Sequence, residues 1–191
     1  MKKVLLIVDM QNDFIYGTLG SPEAEKIIPK VKEKIEKGNY DKIIITLDTH
    51  EEKDYQKSIE GARVPQHCNI YTSGWFLDVN IMDLLLKIAE DKRKEIPDFT
   101  PLMLYKTYHK DTFGSFDLAR DLRVIEDLEE IELVGLCTDI CVISNALILR
   151  SMLPNVSITI DSSCCAGTTP ENHEAALKVA KSCLIDVKNF S

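Results

Sequence analysis

Short apolar runs, each stopping at a polar residue able to do chemistry, constrain this 191-residue chain more than any other feature. Residues 4–8 read Val-Leu-Leu-Ile-Val and stop at Asp9; residues 42–47 stop at Asp48; residues 102–105 stop at Lys106. A fourth run, 131–134, leads through Gly135 into a turn and then Cys141. Runs of this kind suit strands covered on both faces. Between them lie stretches with helical spacing, Ile27, Ile28, Val31 and Ile35, then Ile81, Leu84, Leu85 and Ile88. Further helices are expected at 118–130 and 170–182, and further strands at 156–160 and 184–187. Strands alternating with helices, without repeats or a linker, predict one α/β domain over residues 1–191. Its core is a doubly wound, mostly parallel six-stranded sheet with helices on both faces. Open sheets of this kind bind ligands beyond the carboxyl ends of their strands. Asp9, Asp48, Lys106 and Cys141 all fall there. Residues 48–79 lack a periodic pattern, and a loop of that length in a compact domain is usually functional.

The net charge of −8, with no basic block, argues against nucleic acid or an anionic membrane as partner and leaves a small molecule. The apolar run after Met1-Lys2-Lys3 is too short for a signal peptide and meets Asp9 and Asp13 at once, so the cytoplasm is the expected location. No stretch approaches a membrane span. The six cysteines have no zinc-ribbon or C-x-x-C spacing, and most are expected to be small buried apolar residues. No G-x-G-x-x-G or Walker segment follows a strand, so no nucleotide cofactor is expected.

Strand, turn and helix around Gly135-Leu136-Cys137-Thr138-Asp139-Ile140-Cys141 present Cys141 over N–H groups at a helix N-terminus. Those donors favour an anion, so the thiol is expected to be partly ionised and the same turn can hold an oxyanion. Asp9 can accept the thiol proton, Lys106 can stabilise both anions, and the backbone N–H groups of Cys137 and Cys141 can serve as oxyanion donors. Asp48, His50 and His67 make a carboxylate and two imidazoles. Spacing alone leaves open whether they ligate zinc, iron or manganese or simply hydrogen-bond.

The segments Asp9-Met10-Gln11-Asn12-Asp13-Phe14, Asp48-Thr49-His50, Pro65-Gln66-His67-Cys68, Lys106 and Gly135 to Val142 together resemble the isochorismatase-like cysteine hydrolases, in their nicotinamidase branch. The resemblance spans nearly the whole chain and implies a Rossmann-like three-layer fold. It implies a triad of Asp9, Lys106 and Cys141 and a cis peptide between Leu136 and Cys137. It also implies one divalent metal, zinc before iron or manganese, on Asp48, His50 and His67, with Glu60 either a further ligand or a residue behind the ligands. The implied reaction is hydrolysis of nicotinamide to nicotinate and ammonia through a cysteine thioester, with the metal orienting the pyridine ring, in NAD salvage. The implied assembly is a homo-oligomer. The alternative within the family is a carbamoyl, ureido or isochorismatase-type hydrolase without a functional metal. A binding protein on the same fold is disfavoured, because no triad residue is missing. The expected pocket walls are Phe14, Val64, Tyr108, His109 and Phe113. Val64 stands where the family has tryptophan, with Tyr71 or Trp75 as candidate replacements. His173, at a helix start, is read as structural or solvated.

Overall fold

The computed structural model describes residues 2–96 and 98–190. In chain order the elements are β1 Lys2–Val8, α1 Asn12–Ile15, α2 Pro22–Lys37, β2 Lys42–Asp48, α3 Glu52–Tyr55, α4 Val79–Glu95, α5 Pro101–Leu104, β3 Tyr105–Lys110, α6 Phe116–Arg123 and β4 Leu128–Leu136. A π-helical turn at Thr138–Val142 then runs into α7 Ile143–Met152, followed by β5 Ser157–Ala166, α8 Pro170–Ser182 and β6 Asp186–Lys188. The sheet order is β3-β2-β1-β4-β5-β6, and every pairing is parallel. The order reverses at β1, so β1 and β4 flank the crevice where a doubly wound sheet takes its ligand.

The interior has two halves, one on each face of the sheet. Leu5, Ile7, Ile43 and Ile45 face α2 and α4, whose Ile27, Val31, Ile81 and Leu85 are buried against them. Val4, Leu6 and Val8, with Ile131 and Leu133, face α6, α7 and α8 through Leu118, Ala146, Leu149 and Leu177. Side chains two apart thus meet opposite layers, and β1 and β4 carry apolar residues on both faces. Polar caps fix the helix starts. Ser21 Oγ accepts from Ala24 N, Asp78 Oδ1 from Asn80 N and Ile81 N, and Thr169 Oγ1 from Asn172 N. Among the described residues no helix is long and apolar enough to cross a membrane.

The expected third strand at 102–105 is a correction. Thr100 and Pro101 start a helical turn, α5, and the strand begins only at Tyr105 and runs to Lys110. Proline at the first helical position is pre-set for a helix start, and that overrode the short apolar run. The helix expected at 118–130 is likewise shorter, ending at Arg123, and β4 starts at Leu128 after Asp127, which has φ of +59°.

At the crevice the pairing of the two central strands requires a glycine. Gly135 pairs with Val8 and has φ of +119°. A Cβ on Gly135 would lie 2.1 Å from Val8 O and 2.9 Å from Val8 N. Both the backbone angle and the space exclude a side chain. Gly135→Ala is therefore expected to destabilise the protein by about 2–4 kcal/mol. In a thermal melt this should lower the midpoint by roughly 5–15 °C.

Candidate active site and metal cluster

Asp9 directly follows β1, in a left-handed backbone conformation with φ of +46°. Its N–H donates to Thr46 O at 3.1 Å, and its Oδ1 accepts from Thr46 Oγ1 at 2.6 Å. Its Oδ2 lies 2.6 Å from Lys110 Nζ. Lys110 Nζ also lies 3.3 Å from Asp48 Oδ1 and 3.5 Å from Cys141 Sγ. Asp9, Lys110, Asp48 and Cys141 are all buried, so one ammonium touches two carboxylates and a thiol out of contact with solvent.

Lys106 is not part of this group. It sits on the same edge strand four residues earlier, about 13 Å back along the strand. Its side chain is 48% exposed, and its Nζ pairs with Asp121 Oδ2 at 2.6 Å. Because β3 begins three residues later than expected, the lysine delivered to the carboxyl edge is Lys110, the register partner of Asp48.

The Cys141 thiol also differs from expectation. Burial pushes its pKa well up, and Asp9 adds to this, while Lys110 pulls it down. Burial and Asp9 thus favour the thiol form of Cys141, and Lys110 favours the thiolate. Burial raises the Asp9 pKa too, against the pull of Lys110, which suits a carboxyl that must hold a proton in turn. Cys141 belongs to the π-helical turn ahead of α7. The Leu136–Cys137 peptide is cis. Ile140 N and Val142 N both donate to Cys137 O at 3.1 Å, closing the turn. Asn145 Nδ2 donates to Cys141 O at 2.8 Å, while Asn145 Oδ1 accepts from Ser115 N at 3.0 Å.

Beside this group, Asp48, His50, Glu60 and His67 bring one donor atom each to within 4.8 Å of one another. Asp48 Oδ2 is 3.0 Å from His50 Nε2 and 3.1 Å from His67 Nε2, and Glu60 Oε1 is 3.7 Å from His67 Nε2. His67 Nδ1 lies 2.8 Å from Pro65 O and donates to it. A neutral ring then has only a lone pair at Nε2, facing the lone pairs of Asp48. That arrangement requires a cation between them, a proton or a metal ion. Burial works against a charged His67 ring, but Asp48 and the Pro65 carbonyl outweigh it and raise its pKa. Burial likewise opposes the Asp48 charge, yet hydrogen bonds from His50 and His67 hold that carboxyl well below the usual range. Two imidazoles and two carboxylates are a donor set that suits zinc, manganese or iron. Asp9, Asp48 and Glu60 are three carboxylates against the single ammonium of Lys110 in this group, two negative charges in excess. A divalent ion would also balance that charge.

The long loop is fastened by the segment after β1. Gln11 Nε2 donates to Asp48 O at 2.8 Å and Trp75 O at 2.7 Å, and Gln11 Oε1 accepts from Asp48 N at 2.7 Å. Asp13 Oδ2 accepts from Cys68 N at 2.7 Å. Tyr55 stacks on His50 with ring centroids 4.5 Å apart, and its OH donates to Val64 O. Sequence reasoning assigned no role to Lys110, Gln11, Tyr55 or Asn145. Lys110 ends the stretch Tyr-Lys-Thr-Tyr-His-Lys, which carries neither an apolar run nor an alternation to mark it.

Of the expected pocket walls, Phe14 and Val64 line a cavity of about 320 Å³ together with Leu19, Leu136, Cys137 and Ile140. Phe14 also stacks against His67, ring centroids 5.3 Å apart, so this cavity adjoins the histidine cluster. Tyr108, His109 and Phe113 do not line it. The Tyr108 OH bonds Asp121 at 2.7 Å, beside Lys106. His109 is exposed on β3 and meets Trp75 edge-on. The Phe113 ring is exposed, and its carbonyl accepts from Asn145. Trp75 is buried behind the loop, its Nε1 donating to Thr49 Oγ1, and supplies no wall of the cavity.

The isochorismatase domain model matches residues 3–82 and 86–189. A Bacillus subtilis (strain 168) relative, an uncharacterized isochorismatase family protein PncA, is 32% identical over 154 residues, 77% of this chain and 78% of that one. The crystal structure of nicotinamidase/pyrazinamidase PncA from Bacillus subtilis is 29% identical with a TM-score of 0.73, covering 98% of this chain and 99% of that chain. The pyrazinamidase of Pyrococcus horikoshii, in complex with zinc, is 28% identical with a TM-score of 0.75, over 100% of both chains. The chain belongs to the isochorismatase family, and it is similar there to nicotinamidases and pyrazinamidases.

Proposed function

We propose that the protein is a nicotinamidase, hydrolysing nicotinamide to nicotinate and ammonia through a cysteine thioester. The observation that carries this reading is Lys110, whose ammonium lies 2.6 Å from Asp9, 3.5 Å from Cys141 and 3.3 Å from Asp48. One cation thereby joins a nucleophile and its base to a cluster suited to a metal. The likeness to nicotinamidase and pyrazinamidase structures supports the same substrate class.

In the first step Asp9 accepts the Cys141 proton as the sulfur attacks the carboxamide carbon. Lys110 stabilises the sulfur anion as it forms. The oxygen that becomes negative is held by the backbone N–H groups of Cys137 and Cys141, as read from the turn. Collapse of the tetrahedral adduct breaks the C–N bond, and Asp9 returns its proton to the departing amine, leaving a thioester on Cys141. Water then gives a proton to Asp9 and adds to the thioester; the C–S bond breaks, Asp9 returns that proton to the sulfur, and the acid leaves as its carboxylate with loss of its own proton to solvent. A divalent metal on Asp48, His50, His67 and Glu60 would offer a coordination position to a ring nitrogen. Phe14 stands between that cluster and the cavity, where a flat aromatic ring can lie against it.

Purified protein is expected to release ammonia from nicotinamide, to lose that activity on chelation, and to regain it with zinc, iron or manganese. Metal content is to be measured on the same sample. Absence of release from a metal-loaded sample would reject nicotinamide as substrate; release unaffected by chelation would reject a working metal. Lys110→Met is expected to lower kcat by about 10²–10⁴. Lys106→Met should stay close to the unaltered enzyme, with circular dichroism confirming the fold of both. Equal loss in both variants would reject the assignment of Lys110. Cys141→Ala should abolish ammonia release while keeping the fold; retained activity would exclude the covalent route.

A further inference from the structure

We propose that His173 is a positioning residue, which holds the turn carrying Cys141 through the side chain of Thr138. The proposal rests on the reading of Cys141 as nucleophile. Thr138 is the first residue of the π-helical turn and is fully buried. Its Oγ1 lies 2.8 Å from His173 Nδ1, in the first turn of α8. Among the described residues that hydroxyl has no other hydrogen-bond partner. A neutral imidazole offers one N–H and one lone pair, so His173 can bond a hydroxyl at each ring nitrogen, as donor at one and acceptor at the other. His173 Nε2 lies 3.1 Å from Ser162 Oγ on β5. The ring is a neutral, two-ended bridge from β5 to the turn. Burial holds its pKa below the ordinary value, as that role needs.

The next residue of the turn is held from the same junction. Asp139 Oδ1 accepts from Thr168 N at 2.8 Å and Asp139 Oδ2 from Thr168 Oγ1 at 2.5 Å. Between these two links there is no room for a further side chain. A Cβ on Gly167 would come within 2.9 Å of Asp139 Oδ1 and 2.8 Å of His173 N. Two consecutive turn residues, 138 and 139, are thus fastened by residues 168 and 173, and Cys141 follows two positions later. His173 acts on the thiol through the backbone of the turn. A displacement of about 1 Å at a reacting atom can cost about 100-fold in rate, so a hydroxyl-to-imidazole bond can set kcat without touching the substrate.

The test compares Thr138→Val, Thr138→Ser and His173→Ala with the unaltered protein in its metal-loaded form. Valine keeps the shape of threonine and removes the hydroxyl; serine keeps the hydroxyl. Expected for Thr138→Val and His173→Ala is a fall in kcat of about 10–100-fold with an unchanged KM for nicotinamide. Amide exchange at Ile140 and Val142, both bonded to Cys137 O, should rise about tenfold or more. Thr138→Ser should restore both. Unchanged kcat and unchanged exchange in the two disabling variants would overturn the proposal. So would a lowered melting temperature with faster exchange across the whole sheet and kcat intact, the behaviour of a purely structural contact. Loss in Thr138→Ser equal to that in Thr138→Val would also overturn it. If the unaltered protein releases no ammonia from nicotinamide, the substrate reading fails, and exchange at Ile140 and Val142 still decides whether His173 holds the turn.

Discussion

The ion pair between Lys110 and Asp9, 2.6 Å long and almost fully buried, is the contact on which the rest of the site depends. A buried ammonium is costly unless its partners are close and well placed. Here the four groups come from the carboxyl ends of four neighbouring strands. Asp9 follows β1, Asp48 ends β2, Lys110 ends β3, and Cys141 follows β4. Each strand must stop at the right residue for the four to meet. The parallel order β3-β2-β1-β4 makes those stops adjacent, which is why a chemically demanding cluster can be assembled from segments more than a hundred residues apart.

The same ammonium explains why the two clusters form one site. Asp48 is shared: one carboxylate oxygen faces Lys110, the other faces the two imidazoles. Any cation held by His50 and His67 is therefore felt by Lys110 through a single carboxylate, and so by Asp9 and Cys141. Gln11 binds both the N–H and the carbonyl of Asp48, which holds that shared residue to the segment next to Asp9. The polar residues after β1 thus serve the loop at 49–78 as much as they serve the strand they terminate.

Much of this was legible in the residues themselves. Runs such as 4–8 and 42–47 are apolar on both faces and admit little but a central parallel strand, so Asp9 and Asp48 could be placed at one edge. The helix at 170–182 carries its own start signal, Thr169 followed by Pro170, and lies where expected. Lys110 was not legible in this way. β3 lies at the sheet edge, and its Tyr-Lys-Thr-Tyr-His-Lys sequence lacks the apolar signature of the central strands. The apolar Leu-Met-Leu before it drew the strand assignment to a segment that Pro101 commits to a helical turn. Tyr108 and His109 stand outside the cavity for the same reason, since both are strand residues, whereas Phe14 and Val64 do line it. The thiol state depended on burial at the meeting of four elements, which no local pattern records. His173 was invisible as a positioning group because its two partners lie 35 and 11 residues away.

The place of β3 at the rim of the sheet has a consequence for how the protein fails under stress. Among the described residues β3 has one neighbouring strand, β2, whereas β1 and β4 are each held on both sides. Strands at a sheet edge open at a lower free energy than the centre. The ammonium that unites the site is therefore carried by one of the least secured strands of the sheet, while Cys141 and Asp9, the proposed nucleophile and its base, follow the most secured. If denaturant detaches β3, the charge goes with it, and catalysis ceases in a molecule whose core is still folded. Resistance to inactivation in this fold is thus governed by the hold on β3, and a larger or better-packed centre would not by itself extend it.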